Sequence, residues 1–193
     1  MTGKDGKVNA TGLTAQESRA LPTRQVEDEA ESKIIQGIKE LYLCKPKEST
    51  YEIYADNAVF HDPVSIAEGL PRIRAQFNAL PKLFPRSTID KFDVLESPKT
   101  LSPSTKSIVI NQDVTYYRSE KTDEKPFKTM NSLVTLIRDN QGKVIKHTEE
   151  WNHDNLVDSS NSGFLGTLNE ARKKAFAALS MPFVDQTAPE DRK

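Results

Sequence analysis

Apolar residues recur at spacings of three and four along residues 26–45 and again along residues 70–80. This period predicts two amphipathic helices, each with one face turned to a core. Acidic residues crowd the first turns of the first helix, where they complement the helix dipole. Pro46 follows that helix and ends it, while Pro81 and Pro85 are expected to close the second.

The segment between the two helices predicts a short helix over residues 51–54 and a short strand over residues 58–60. The strand leads into Asp62, and Pro63 biases Asp62 towards extended backbone. We therefore expect Asp62 to close a strand rather than to continue a helix. A carboxylate at this place suits either a base in an apolar pocket or a plain junction between two elements.

After residue 86 the apolar period changes from helical to two, which is typical of strands with one buried face. The pattern predicts strands at residues 87–96, 107–118, 127–138 and 143–153. Helices followed by an antiparallel meander define an α+β fold. A helical pattern returns near the end of the chain and predicts an extra C-terminal helix over about residues 164–180.

Composition and charge limit the partners and the compartment that we expect for this protein. The 193 residues include 27 basic and 28 acidic ones, a formal net charge of −1, so we expect no nucleic-acid partner. No apolar run approaches the roughly 20 residues that span a bilayer, so we expect no membrane partner. The single cysteine, Cys44, fits a reducing compartment. The first residues lack the apolar stretch of a secretory signal, and we expect an intracellular protein, in the cytoplasm or also in the nucleus.

The polar character of the two ends predicts three segments. Residues 1–24 carry few large apolar side chains and are expected to be disordered or loosely attached. Residues 25–158 hold the periodic patterns and form the predicted domain. Residues 159–193 are a C-terminal extension that contains the extra helix.

Three stretches in this order resemble the nuclear transport factor 2-like superfamily, in its SnoaL-like and ketosteroid isomerase-like branch. They are YADNAVFHDPVS at 54–65, EGLPRIRAQF at 68–77 and GKVIKHTEEWNHDNL at 142–156. The resemblance covers residues 26–156. It implies a cone-shaped, curved antiparallel sheet packed on N-terminal helices, with a pocket at the open end. The superfamily includes polyketide cyclases, isomerases, epoxide hydrolases and dehydratases, as well as binding and assembly proteins without catalysis.

Asp62 matches the position of the catalytic base in ketosteroid isomerase-like members. A carboxylate taken out of water into an apolar cone is a stronger base, which is the property that this chemistry needs. The alternative is structural, because an aspartate before a proline can hold a turn by accepting backbone N–H bonds. The tyrosine and protonated acid that complete such sites are missing: Tyr42 is off register, and residues 133–135 carry no acid. Steroid isomerisation is therefore not expected.

A second cluster lies in the last strand, where His147, Glu149, Trp151 and His153 share one parity and hence one face. Glu149 falls near a catalytic acid of limonene epoxide hydrolase-like members, although the adjoining strand offers only Asn131 in place of their arginine and aspartate. If the other sheet face is concave, these side chains instead meet solvent or a dimer partner.

The resemblance also implies a histidine and aspartate pair like that of scytalone dehydratase-like members, with His61 or His147 beside Asp62. The catalytic candidates are thus Asp62, His61 and Glu149. The remaining side chains of the predicted ligand pocket are Tyr54, Phe60, Phe77, Asn131, His147 and Trp151. The histidines lack the spacing of a metal site, and we expect neither a metal nor a cofactor.

Two functions follow as hypotheses. The first is a conical pocket for a small, largely apolar ligand, with or without acid/base catalysis by Asp62 in an isomerase, cyclase or dehydratase. The second is a noncatalytic interaction module that forms a homodimer through the sheet. The specific activity is not identified by the sequence.

Overall fold

The computed structural model describes residues 7–102, 106–156 and 188–191. The helices are α1 (Ala15–Arg19), α2 (Glu29–Tyr42) and α3 (Leu70–Leu83), with 3₁₀-helices at Glu48–Ile53 and Pro189–Asp191. The strands are β1 (Tyr54–Asp62), β2 (Ser65–Glu68), β3 (Arg86–Leu95), β4 (Ile108–Tyr117), β5 (Lys128–Arg138) and β6 (Val144–Trp151).

The six strands form one curved, unclosed sheet in the order β2-β1-β6-β5-β4-β3. Strands β3 to β6 are the predicted antiparallel meander. Strand β1 lies parallel to β6, so the sheet is mixed rather than purely antiparallel. Helices α2 and α3 pack in its concave face, and the predicted α+β, cone-like fold is confirmed.

The region before β1 differs in detail from the prediction. The short helix expected at 51–54 is a 3₁₀-helix that ends at Ile53, and Tyr54 is the first residue of β1. Strand β1 has nine residues and forms a hairpin with β2, in which Asp62 pairs with Ser65. Asp62 closes a strand, as Pro63 predicts.

Helix α3 runs past Pro81 and ends at Leu83, between the two prolines, Pro81 and Pro85, that were expected to close it. A proline inside a helix lacks the N–H that would bond the carbonyl four residues earlier. Here the loss falls in the last turn, and the N–H of Phe84 still bonds the carbonyl of Leu80.

The apolar stripes of the two predicted helices form the core with the concave sheet face. Ile38 and Leu41 of α2 and Ile73 of α3 are fully buried there. Burying a side chain of this size stabilises the fold by about 1.5–3 kcal/mol. We call the concave side of the sheet the inner face and the opposite side the outer face.

Residues 9–24 are attached along the sheet, where the sequence predicted a disordered or loosely attached segment; we call them the strap. Thr23 bridges Leu95 at the edge of β3, and Leu21 packs on an apolar cluster of the outer face. Arg24 forms a bidentate ion pair with Glu31, which is fully buried.

The far end of the strap is held by polar contacts. Asn9 donates to the backbone carbonyl of His153, and Ser18 contacts the His153 ring. The N–H of Ala10 donates to a carboxylate oxygen of Glu150 at 2.8 Å. Because hydrogen bonds rather than apolar side chains make these contacts, the composition of the segment gave no sign of them.

Some predictions fall on residues that the structure does not describe or on contacts between two copies of the chain. The C-terminal helix at about 164–180 lies outside the described residues, and the domain limits at 25 and 158 stay predictions. Residues 188–191 pack near the 3₁₀-helix Glu48–Ile53, where the N–H of Ala188 donates to Glu48. Pairing of two copies through the sheet also stays a prediction. Within the described residues no helix is long and apolar enough to cross a membrane.

Candidate functional site

Strand β6 carries the predicted cluster on alternating positions. His147 pairs with Leu136 and Glu149 with Val134, and both partners belong to the main core. His147, Glu149 and Trp151 therefore lie on the inner face, and all three are buried. Glu150, between them, lies on the outer face beneath the strap.

His147 is the centre of an aromatic cluster. Its ring lies 4.8 Å from the ring of Phe60 and 6.0 Å from that of Phe77, measured between centroids. The hydroxyl of Tyr54 is 2.7 Å from its Nδ1, and the hydroxyl of Tyr42 is 3.3 Å from its Nε2. Burial lowers the pKa of His147 to about 3, so the imidazole is neutral.

The contacts of Tyr42 fix the direction of the bonds around this imidazole. Tyr42 donates its single proton to Oε2 of Glu149 at 2.9 Å, so its oxygen accepts from His147 Nε2–H. The bare Nδ1 of His147 then accepts from the Tyr54 hydroxyl. Four side chains thus form a chain of three hydrogen bonds that runs from Tyr54 to Glu149, and the bonds polarise one another.

The chain of hydrogen bonds ends at Glu149, which accepts from Tyr42. Its Oε1 also accepts from the indole N–H of Trp151 at 3.2 Å. Burial first, and the charge of Glu149 second, raise the pKa of Tyr42 well above its ordinary value, so the phenol keeps its proton. Both carboxyl oxygens of Glu149 thus accept a hydrogen bond.

Asp62 is buried and holds the turn between β1 and β2. Its Oδ1 accepts from the backbone N–H groups of Val64 and Ser65, both at 2.9 Å, and from the Ser65 hydroxyl at 3.4 Å. This geometry is the structural alternative that the sequence left open for Asp62.

Asp62 and Glu149 follow directly on the last registered pair of β1 and β6. Phe60 pairs with His147 and His61 with Thr148, and the next residues of the two strands are Asp62 and Glu149. Both side chains have inner-face parity, and both are buried.

Two residues that the sequence predicted in the site, His61 and Asn131, lie outside the aromatic cluster. His61 has the opposite parity to Phe60 and is only half-buried, away from the aromatic cluster. Asn131, predicted in the pocket, lies on the outer face, where it donates to Asn111 and Asp113. The parity of β5 explains this, because Ser132 rather than Asn131 pairs with Trp151.

His153 leaves the face that it was expected to share with Trp151. Strand β6 ends at Trp151, and Asn152 and His153 have φ values of 55° and 60°. These left-handed residues break the alternation of the strand. The His153 ring contacts Ser18 of the strap and Asn111 on the outer face.

Two inner-face residues were missed by sequence reasoning. Tyr42 follows Ile38 by four positions, and Gln76 follows Ile73 by three, so both extend apolar helix stripes. A polar group within such a stripe is the signal that could have found them. Tyr42 had been set aside as off register with the first-helix tyrosine of ketosteroid isomerase-like sites.

Among the described residues no group of three or more histidine, cysteine, aspartate or glutamate side chains is arranged to hold a metal ion. Cys44 is buried, and burial raises the pKa of its thiol to about 11. A thiol with this pKa is not a reactive nucleophile at neutral pH.

Comparison with solved structures identifies the fold. A steroid delta-isomerase from Pseudomonas aeruginosa superposes with a TM-score of 0.51 at 14% identity, over 83% of this chain and 98% of that one. An NTF2-like protein from Anabaena variabilis gives 0.51 at 13% identity, over 64% and 87%. The chain has the nuclear transport factor 2-like fold. No protein-family model matches the chain, and no curated protein matches it.

Replacement of Asp62 tests its turn-holding role. Asp62→Ala removes the acceptor of the turn and is expected to destabilise the protein by about 1–3 kcal/mol. Asp62→Asn keeps an acceptor oxygen and is expected to cost less. Urea unfolding of both variants measures the difference, and equal losses would contradict the turn-holding role.

Proposed function

We propose that the chain binds a small, largely apolar molecule at the inner face, with Glu149 and Trp151 in contact with it. The observation that carries the proposal is the hydrogen-bond chain from Tyr54 to Glu149. It ends on a buried carboxyl group within an interior that is lined mainly by aromatic and aliphatic side chains. A few convergent polar groups in an apolar concave site are typical of small-molecule sites.

The fold agrees with this class of ligand by analogy alone. The steroid delta-isomerase that superposes on the chain is, by its name, an enzyme of an apolar substrate. The positions of Phe60, Phe77 and Trp151 around His147 and Glu149 supply the corresponding apolar wall here.

Acid/base catalysis is the second candidate function, as in an isomerase, cyclase or dehydratase. The positions of Asp62 and Glu149, which follow directly on the last registered pair of β1 and β6, favour it, because two carboxyl groups in different surroundings can act as acid and base. Asp62→Asn, which keeps the turn acceptor, is then expected to abolish turnover while leaving stability nearly unchanged. Retained turnover in this variant would contradict a role of Asp62 as base.

Calorimetric titration tests the binding proposal. The probes are two alicyclic alcohols, borneol and menthol, and the ketones of the same skeletons, camphor and menthone. We expect saturable one-to-one binding of at least one probe. Ser132→Phe places a bulky ring beside Trp151 on the inner face and is expected to abolish it, since Ser132 is buried and pairs with Trp151. Absence of saturable binding by all four probes would contradict the proposal.

A further inference from the structure

Two buried amide side chains donate to serine hydroxyls of the sheet and of the β1–β2 turn. Gln112 of β4 pairs with Ser132 of β5, which in turn pairs with Trp151 of β6. Gln76 of α3 reaches the β1–β2 turn from the other side and bonds Ser65. Gln76 is 2% exposed and Gln112 is fully buried. Neither residue belongs to the hydrogen-bond chain that ends at Glu149.

The neighbours of Gln76 orient its amide. The Ser65 hydroxyl donates its one proton to Asp62, so its oxygen accepts from the Nε2 of Gln76 at 2.5 Å. The Nε2 of Gln112 likewise donates to the Ser132 hydroxyl at 3.3 Å. In both residues the carbonyl end of the amide points away from the serine.

The carbonyl oxygens of Gln76 and Gln112 are buried, and neither has a hydrogen-bond partner among the residues that the structure describes. Leaving a buried acceptor unpaired costs about 1–3 kcal/mol, so native proteins rarely do so without a reason. Two such buried acceptors, one on α3 and one on β4, point to a molecule that donates to them.

Two donors of this face are already engaged. Tyr42 and Trp151 each have one polar hydrogen, and both give it to Glu149. A ketone oxygen would compete with Glu149 for these two hydrogens and would leave the carbonyl oxygens of Gln76 and Gln112 unpaired. A hydroxyl group would instead satisfy one of these acceptors.

We propose that Gln76 and Gln112 are specificity-determining residues that select an apolar alcohol over the ketone of the same skeleton. The inference rests on the binding function proposed above and names the chemistry of its ligand. The alcohol donates its hydroxyl proton to the Oε1 atom of Gln76 or Gln112, and its hydrocarbon body packs on Trp151 and Phe77.

The matched probe pairs test this selectivity by calorimetry. Borneol is expected to bind about tenfold more tightly than camphor, and menthol more tightly than menthone, because only the alcohols pair a buried acceptor. Gln76→Leu and Gln112→Leu are each expected to weaken the preference, and the double variant is expected to abolish it. Gln36→Leu, at an exposed position of α2, is the control and should leave the preference unchanged.

The possible outcomes separate the two proposals. Equal affinity of the wild-type protein for alcohol and ketone would overturn the selectivity inference and leave the binding function standing. Binding of none of the four probes would contradict the binding function itself. A preference that survives in a folded double variant, as judged by urea unfolding, would overturn the assignment to Gln76 and Gln112. The comparison of wild-type affinities needs no variant to fold.

Discussion

Acidification is expected to destabilise the protein through His147 by on the order of 5 kcal/mol. Burial lowers its pKa from 6.5 to about 3, and each pKa unit corresponds to about 1.4 kcal/mol. In the unfolded chain the imidazole binds a proton that the folded state excludes. The contribution of His147 is therefore complete above pH 6.5 and is lost as the pH falls towards about 3.

The matched variant for this prediction is His147→Gln, which offers a donor and an acceptor but does not titrate. Urea unfolding of both proteins over a series of pH values gives the difference in free energy. The advantage of wild type over the variant should shrink steadily as the pH falls below 6.5. A difference that does not change with pH would show that His147 is not held neutral in the folded protein.

Two groups that contact the strap, Glu150 and His153, are expected to titrate with opposite effects on stability. Burial raises the pKa of Glu150, beneath Ala10, to about 7, although the Ala10 N–H and Lys146 oppose the shift. Burial lowers the pKa of His153 to about 4, with Arg19 and Lys91 adding to the effect and Asp113 opposing it. Both residues join the strap to the end of β6.

The two signs follow from the protonation states. Folded Glu150 holds a proton that the unfolded chain releases, so its contribution is present below pH 4.5 and lost as the pH rises to about 7. The contribution of His153 is present above pH 6.5 and lost as the pH falls to about 4. Between pH 4.5 and 6.5 the two changes oppose each other. Each amounts to about 1–2 kcal/mol after a reduction for screening by nearby water.

Two variants separate these contributions. Glu150→Gln should gain stability relative to wild type as the pH rises from 4.5 to about 7. His153→Gln should gain relative to wild type as the pH falls from 6.5 to about 4. Urea unfolding over this range measures both differences. If neither difference changes with pH, the strap does not bury these two side chains in the way described.

Much of the fold was predictable because it rests on apolar periodicity. The stripes of α2 and α3 and the alternation of β3 to β6 are visible in the sequence, and these elements lie close to their predicted limits. The strap was not predictable in the same way. Its attachment relies on polar contacts, such as those of Ala10 with Glu150 and of Ser18 with His153. Polar contacts of this kind leave no apolar period in the sequence of the segment.

The candidate site was predicted in part, because strand parity shows which residues share a face. Parity correctly grouped His147, Glu149 and Trp151, but it could not say which sheet face is concave. It failed for His153, where left-handed backbone ends the alternation, and Asn131 has the wrong parity for the inner face. Contacts between distant elements, such as Tyr42 with Glu149, have no signal in local spacing.

The most direct test of the central claim is the indole N–H resonance of Trp151 in heteronuclear NMR. The chain contains one tryptophan, so one such signal is expected. The indole N–H of Trp151 donates a hydrogen bond to Glu149. Titration with borneol is predicted to shift this signal saturably in wild type, and much less in Ser132→Phe. Binding of borneol that leaves the indole signal unchanged would contradict a ligand site on the inner face.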